Sequence, residues 1–481
     1  MGKRDVLMTV RKPWKLLIYL VALLIVVGPP TRLARAELSI EEEKKMGQKF
    51  LQAALSQLRL IQDPEVIGYV NKVGQKIVTH LDFHHFPYHF YVVDSGVLNA
   101  FAGPAGYVFI NRGLIEIMDD EGELAAILGH EIAHVQSRHI AQRMARARTL
   151  NLAALGGMLA GIFLGGEAGA AAIAGSQAGA TSAMLTHSRQ DEEEADRKGL
   201  RYLEAAHYNG KDFVKIMRKM SQDSWKGGGH MPGWLTTHPG SSERVVYLST
   251  TVGIRNPSAK VRTEDSEGFL LMQVKLYGSY ESPKEAEAKF QEWFEKPETK
   301  AMAYYGTGLM RRRQRLMDEA VVAFQNAIAL RPDLAPILVD LGETYFEMGK
   351  FDKAQQVLTS ALTLEPDQPM ALYALGRCQL EQGQAAEASK QLEKAIRINN
   401  RLPKINYYLG LAYGKMNKLV DAHYHFGIYY KRKGSLRNAQ FHFQEALRLT
   451  NDPKEKEILN RELAQIKGAM RSAKQSGSKF R

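Results

Sequence analysis

The chain has 481 residues, 45% of them hydrophobic, which is enough to bury more than one core and suggests two or three domains. Its formal charge is +12, but residues 1–36 hold seven Lys or Arg against Asp5 alone, so a net of only +6 is spread over the rest, and nucleic acid is not expected as a partner. The single cysteine, Cys378, excludes an intrachain disulfide and a cysteine-ligated metal site, so any metal must sit on histidines and carboxylates.

At the amino end, Lys3, Arg4, Arg11, Lys12 and Lys15 precede an uncharged run from Leu16 to Val27, then Gly28-Pro29-Pro30 and Ala34-Arg35-Ala36. That order predicts a secretory signal cleaved after Ala36 and a periplasmic location. An inner-membrane anchor over residues 16–27 is the alternative, although a full span of the hydrocarbon core takes roughly 20 residues. The periodicity predicts a helix over Ile40–His80. Aromatic and branched residues predict strands at Tyr88–Val93 and Tyr107–Asn111, joined by residues 99–106, and one of the two is the expected open edge for an extended peptide. Asp119 and Asp120 then cap an amphipathic helix expected over Glu121–Arg146.

Within that helix lies His130-Glu131-Ile132-Ala133-His134. Residues four apart share one helical face, so both imidazoles can offer a nitrogen to one zinc ion, and Glu131 can take the proton of an attacking water. Thr149–Leu185 is rich in Gly and Ala, which suggests a closely packed helical pair, with a flap or a hairpin touching the membrane as the alternatives. Five acids then fall in the six residues Asp191–Asp196. Catalytic zinc usually takes three protein ligands, so a carboxylate is needed, but composition does not choose among these five.

Asn99-Ala100-Phe101-Ala102, Arg112-Gly113-Leu114, the His130–His134 helix and Glu192-x-x-Ala195-Asp196, in this order, resemble the M48 (Ste24-type) zinc metallopeptidases. The resemblance implies one zinc ion per subunit with Glu192 as third ligand, Glu131 as general base, and Asp196 hydrogen-bonding a ligand histidine and serving as proton donor. Thr237-His238-Pro239, followed by Glu243-Arg244, is similar to a segment of the secreted members whose histidine can take the fourth metal position, which would make His238 an inhibitory ligand. Arg244 would either stabilise an oxyanion or hold the loop.

Pro257–Glu267 reads as a polar linker. Beyond it Gly308, Gly342, Gly376 and Gly410 recur every 34 residues, as do Ala320, Ala354, Ala388 and Ala422. This resembles the tetratricopeptide repeat, a stack of helical hairpins offering a concave surface to peptides or partner proteins. The period becomes irregular after Ala422; one more helix is expected at Leu436–Leu447, and a frayed basic tail from Lys467.

The expected fold is mainly α, a zincin-like domain with a small β-sheet followed by an α-helical repeat solenoid. The divisions are a signal at 1–36, the peptidase domain at 37–255, a linker with connecting helices at 256–300, repeats at 301–465 and a tail at 466–481. The expected activity is zinc-dependent endoproteolysis of misfolded or stalled envelope proteins. The repeats would dock clients, unfolded outer-membrane proteins or the outer-membrane assembly machinery. The rival is a chaperone or scaffold whose metal site is vestigial or closed.

Overall fold

The computed structural model describes residues 38–146, 188–226, 234, 238–239, 241–254, 265–402 and 404–478. The expected signal peptide and the Gly/Ala-rich segment Thr149–Leu185 lie outside the described residues. Among the described residues no helix is long and apolar enough to cross a membrane.

The first half is built from α1 (Ile40–Gln57), α2 (Pro64–Val78), β1 (His89–Val93), β2 (Ala100–Ala102), β3 (Tyr107–Asn111), α3 (Arg112–Glu116), α4 (Glu121–Gln136), α5 (His139–Arg146), α6 (Arg189–Ala205), α7 (Gly210–Lys226) and α8 (Ser241–Ile254). The single helix expected over Ile40–His80 is two. Leu58 ends the first, Leu60 bridges to Val93 beside β1, and Asp63 restarts the chain by accepting from the amides of Glu65 and Val66, with Pro64 in the first turn. The sheet runs β1-β3-β2, with β1 parallel and β2 antiparallel to β3. One of the two expected strands, β1, is an edge of the sheet, with Leu60 bridging its Val93 end; β3 is flanked on both sides, and the opposite edge is β2, in the segment read as a connection.

Helix α4 departs from the amphipathic pattern, because every residue from Glu121 to Val135 is buried. Its polar residues are paired instead of solvated: Asp120 caps the Glu123 amide, Glu123 meets Lys215 and Lys219, and Tyr69 and Tyr208 donate to Glu121. The helix expected to reach Arg146 breaks at Arg138, whose φ of 56° lies in the left-handed region, and restarts as α5.

Helix α9 (Ser266–Tyr280), at the end of the expected linker, serves both halves. Phe269, Met272 and Leu276 enter the core around α4, while Val274 belongs to the next core. Below it the Lys275 ammonium is buried among Asp63, which caps α2, Glu65 in its first turn, and Asp340 of the repeats. After α10 (Pro283–Phe294) the hairpins follow: α11 (Lys300–Arg313), α12 (Met317–Leu330), α13 (Ala335–Glu347), α14 (Phe351–Leu364), α15 (Pro369–Glu381), α16 (Ala385–Ile398), α17 (Ile405–Lys415), α18 (Leu419–Arg432), α19 (Leu436–Leu449) and α20 (Pro453–Ser478).

The 34-residue period has a steric cause. A Cβ on Gly308, Gly342, Gly376 or Gly410 would collide with Phe324, Leu358, Leu392 or Phe426 respectively, each 16 residues on, so each first helix must be bare where the second inserts its bulky side chain. The turns repeat too: Arg315, Gly349, Gly383 and Asn417 all have positive φ. After Ala422 the spacing halves. Gly427 faces Phe443 and Gly434 takes the next positive φ, so α18 is both the second helix of one hairpin and the first of another. The expected frayed tail is instead helical, α20 continuing to Ser478.

Candidate metal centre

The centre lies where α4 crosses α6 at backbone distance. A Cβ on Gly199 would stand 3.0 Å from the His130 Cα and 3.2 Å from the Gly129 carbonyl carbon, so only glycine lets the helices touch there. Helix α6 begins at Ser188, whose hydroxyl accepts from the Asp191 amide in a capping box. From that start Glu192, Ala195, Asp196 and Gly199 fall on one buried face, which places two carboxylates against the two imidazoles of α4.

His130, His134, Glu192 and His238 each present a donor atom, all within 4.8 Å of one another and all fully buried. The Nε2 atoms of His130 and His134 are 3.0 Å apart; Glu192 Oε2 lies 3.5 Å from the first and Oε1 3.4 Å from the second. His238 Nδ1 lies 3.4 Å from His130 Nε2 and 3.0 Å from Glu192 Oε1. A tetrahedron of ligands at ~2.0–2.2 Å has edges of roughly 3.3–3.6 Å, and these separations, from 3.0 to 3.5 Å, lie at or just below that range, so the donors are placed to close around a cation of that size. Three imidazole nitrogens turned toward one carboxylate are also a donor set that a cation would satisfy in full.

Around these donors a second set of groups holds them. Asp196 Oδ1 stands 3.0 Å from His130 Nδ1, fixing the ring with Nε2 toward the cluster. Arg244 donates through Nε and Nη2 to the two oxygens of Asp196, at 2.8 and 2.7 Å, and its Nη1 lies 2.6 Å from Glu192. The burial that would raise Glu192 is outweighed by His238, Arg244 and the ligand histidines, which hold it well below the usual carboxylate range. Burial pushes Glu131 up. Its carboxyl oxygens have no hydrogen-bond partner among the described residues, and Oε1 lies 3.6 Å from His238 Nε2.

The structure thus brings together all seven residues singled out in the sequence, from α4, α6, the segment at His238 and α8. Two further residues pack against them. Trp234, fully buried, stacks on His238 with centroids 3.9 Å apart and is tied to the loop before β2 through its amide and the Leu98 carbonyl. His139 packs its Nδ1 2.9 Å from that of His134. Nothing in the local pattern marks His139, because its approach depends on the left-handed turn at Arg138. Beside the centre a cavity of about 520 Å³ is lined by residues including Arg189, Glu192, Arg197, Arg244 and Tyr247.

Residues 64–252 match Peptidase family M48, and residues 313–361 and 349–405 match the tetratricopeptide repeat. The beta-barrel assembly-enhancing protease of Escherichia coli K12 is 29% identical over 322 residues, 64% of this chain and 65% of that protein. Its Yersinia pestis counterpart is 31% identical over 51% of each chain. The human mitochondrial metalloendopeptidase OMA1 is 31% identical over 34% of this chain and 32% of its own. The matches therefore span less than two thirds of these relatives' lengths.

Proposed function

The chain carries a peptidase family M48 domain followed by tetratricopeptide repeats, and from that premise we propose that it is a zinc-dependent endopeptidase of the bacterial periplasm. The observation that supports this most strongly is the donor set of His130, His134 and Glu192 with the Glu131 carboxylate beside it and otherwise without a hydrogen bond among the described residues. Zinc held there supplies Lewis acidity, polarising a scissile carbonyl and acidifying a water. Glu131 takes the proton of the attacking water and passes it to the departing amine, a role suited to a carboxyl whose proton affinity burial has raised. Asp196 keeps Nε2 of His130 turned to the cluster. Arg244 is committed to Asp196 and Glu192, so in this reading it clamps the carboxylates and leaves the oxyanion role to other groups. Substrate would approach through the 520 Å³ cavity.

His238 fits an inhibitory ligand: its Nδ1 is part of the donor set and its ring stands before Glu131. A closed fourth position belongs to structural sites, so the enzyme is latent until the segment bearing His238 moves. The name of the bacterial relatives points to β-barrel assembly, and on that analogy the clients are outer-membrane proteins that fail to assemble, docked by the repeats. The same seat of His238 also favours a second reading, a repeat-based chaperone whose metal site never opens.

Casein cleavage and zinc content, measured for the wild type, Glu131→Gln and His238→Ala, separate the readings. The peptidase reading requires one zinc per chain and activity in His238→Ala that Glu131→Gln abolishes. If zinc is present and none cleaves, the chaperone reading stands.

A further inference from the structure

The two helix-borne imidazoles of the centre are held by different chemistry. His130 has a carboxylate behind it, Asp196, itself clamped by Arg244. Behind His134 stands a third imidazole: the Nδ1 atoms of His134 and His139 are 2.9 Å apart and both rings are buried. Two nitrogens at that distance share one proton, and the rest of the ring chemistry decides which carries it. Nε2 of His134 points into the cluster, 3.0 Å from His130 Nε2 and 3.4 Å from Glu192, so it must keep its lone pair and the proton of a neutral ring goes to Nδ1. His139 then accepts at Nδ1 and carries its own proton at Nε2, which lies 3.5 Å from Glu194 and 3.8 Å from Asp191. Both carboxylates are anchored, Glu194 by Ser137 and Lys198, Asp191 by Arg143.

We infer that His139 is a positioning residue for the metal centre: it fixes the tautomer and ring plane of His134, and Glu194 and Asp191 orient His139 in turn. The inference rests on the proposed metal site, since a histidine that binds no metal needs no fixed tautomer. The left-handed turn at Arg138 brings His139 back along α4, which is why the helix breaks directly after its last ligand. A neutral imidazole accepts less strongly than a carboxylate, so His134 is the less tightly oriented of the two.

The test is zinc affinity by chelator competition on the full chain, with the urea midpoint of the zinc-free protein measured beside it. His139→Leu removes the acceptor at similar bulk and lowers affinity by about 10–100-fold, the usual size of such an effect. His139→Asn and His139→Asp, which offer an oxygen near the place of Nδ1, stay within about threefold of the wild type, a rescue that a mere packing role does not predict. Should His139→Leu fail to fold, the Asn and Asp variants still decide: affinities about 10-fold or more below wild type in both, with unchanged zinc-free midpoints, overturn the inference. A folded His139→Leu that binds zinc like the wild type overturns it while leaving the peptidase reading intact, and a wild type that binds none removes both.

Discussion

Replacing Arg244 by Leu isolates what holds the carboxylates of the centre. Its guanidinium makes contacts of 2.6, 2.7 and 2.8 Å to Glu192 and Asp196, and both acids are fully buried. Removing one partner of a buried ion pair leaves uncompensated charge and costs about 3–5 kcal/mol; here one cation serves two anions, so the upper part of that range is expected for the zinc-free protein. Bound zinc would compensate Glu192 but not Asp196, so roughly half the loss should return on adding the metal. Arg244→Lys keeps the charge and loses the fork, and should fall between. Urea unfolding in chelator and again in excess zinc, for the three proteins, reads these shifts. A loss below about 1 kcal/mol without zinc, as for an exposed pair, would refute the claim that this network is desolvated.

Gly199→Ala places a methyl 3.0 Å from the His130 Cα, and the overpacking of about 1–3 kcal/mol should exceed the gain of up to ~1 kcal/mol from helix propensity; zinc affinity falls with it, and an unchanged affinity would mean that the crossing does not set the site. Lys275→Met strands Glu65 and Asp340 and should cost about 3–5 kcal/mol, mostly recovered when both acids are neutralised as Gln and Asn, as a urea series would reveal. His425 is lowered to about 4 by burial, from 6.5, with its Nδ1 3.0 Å from Asn406 Oδ1. The unfolded chain therefore takes up the proton first, so the stability this ring contributes is complete above pH 6.5 and declines as pH falls toward 4. On the order of 2 kcal/mol is lost between pH 7 and 5, and His425→Gln should lose that much less over the same interval.

The repeat half was legible because its steric rule is local: a bare glycine must face a bulky side chain 16 residues later, and that pairing recurs as a 34-residue period. The halved spacing after Ala422 obeys the same rule, but Gly427 opposite Phe443 breaks the period by which such pairs are found. The metal cluster was half legible. The spacing of His130 and His134 places them on one face, whereas composition left five acids open and Glu192 was chosen only through the resemblance; its physical ground is the place where α6 crosses α4. Strand β2 escaped because three residues, Ala100–Ala102, are too few to show alternation, and their strand character comes from pairing with β3. The restart at Asp63-Pro64 was visible and was overridden by the helical periodicity on both sides of it.

Helix α9 carries a consequence for anyone who would divide the molecule. It belongs to two hydrophobic interiors at once, and Gln368 of the distant repeats reaches across to Glu65 beside its lysine. A fragment ending before Ser266 would strip the first half of Phe269, Met272 and Leu276, while one beginning after Tyr280 would leave the first hairpins without Val274 and Asp340 without Lys275. The halves should therefore melt together in a calorimeter, and a severed repeat array would be a poor stand-in for the repeats of the intact chain.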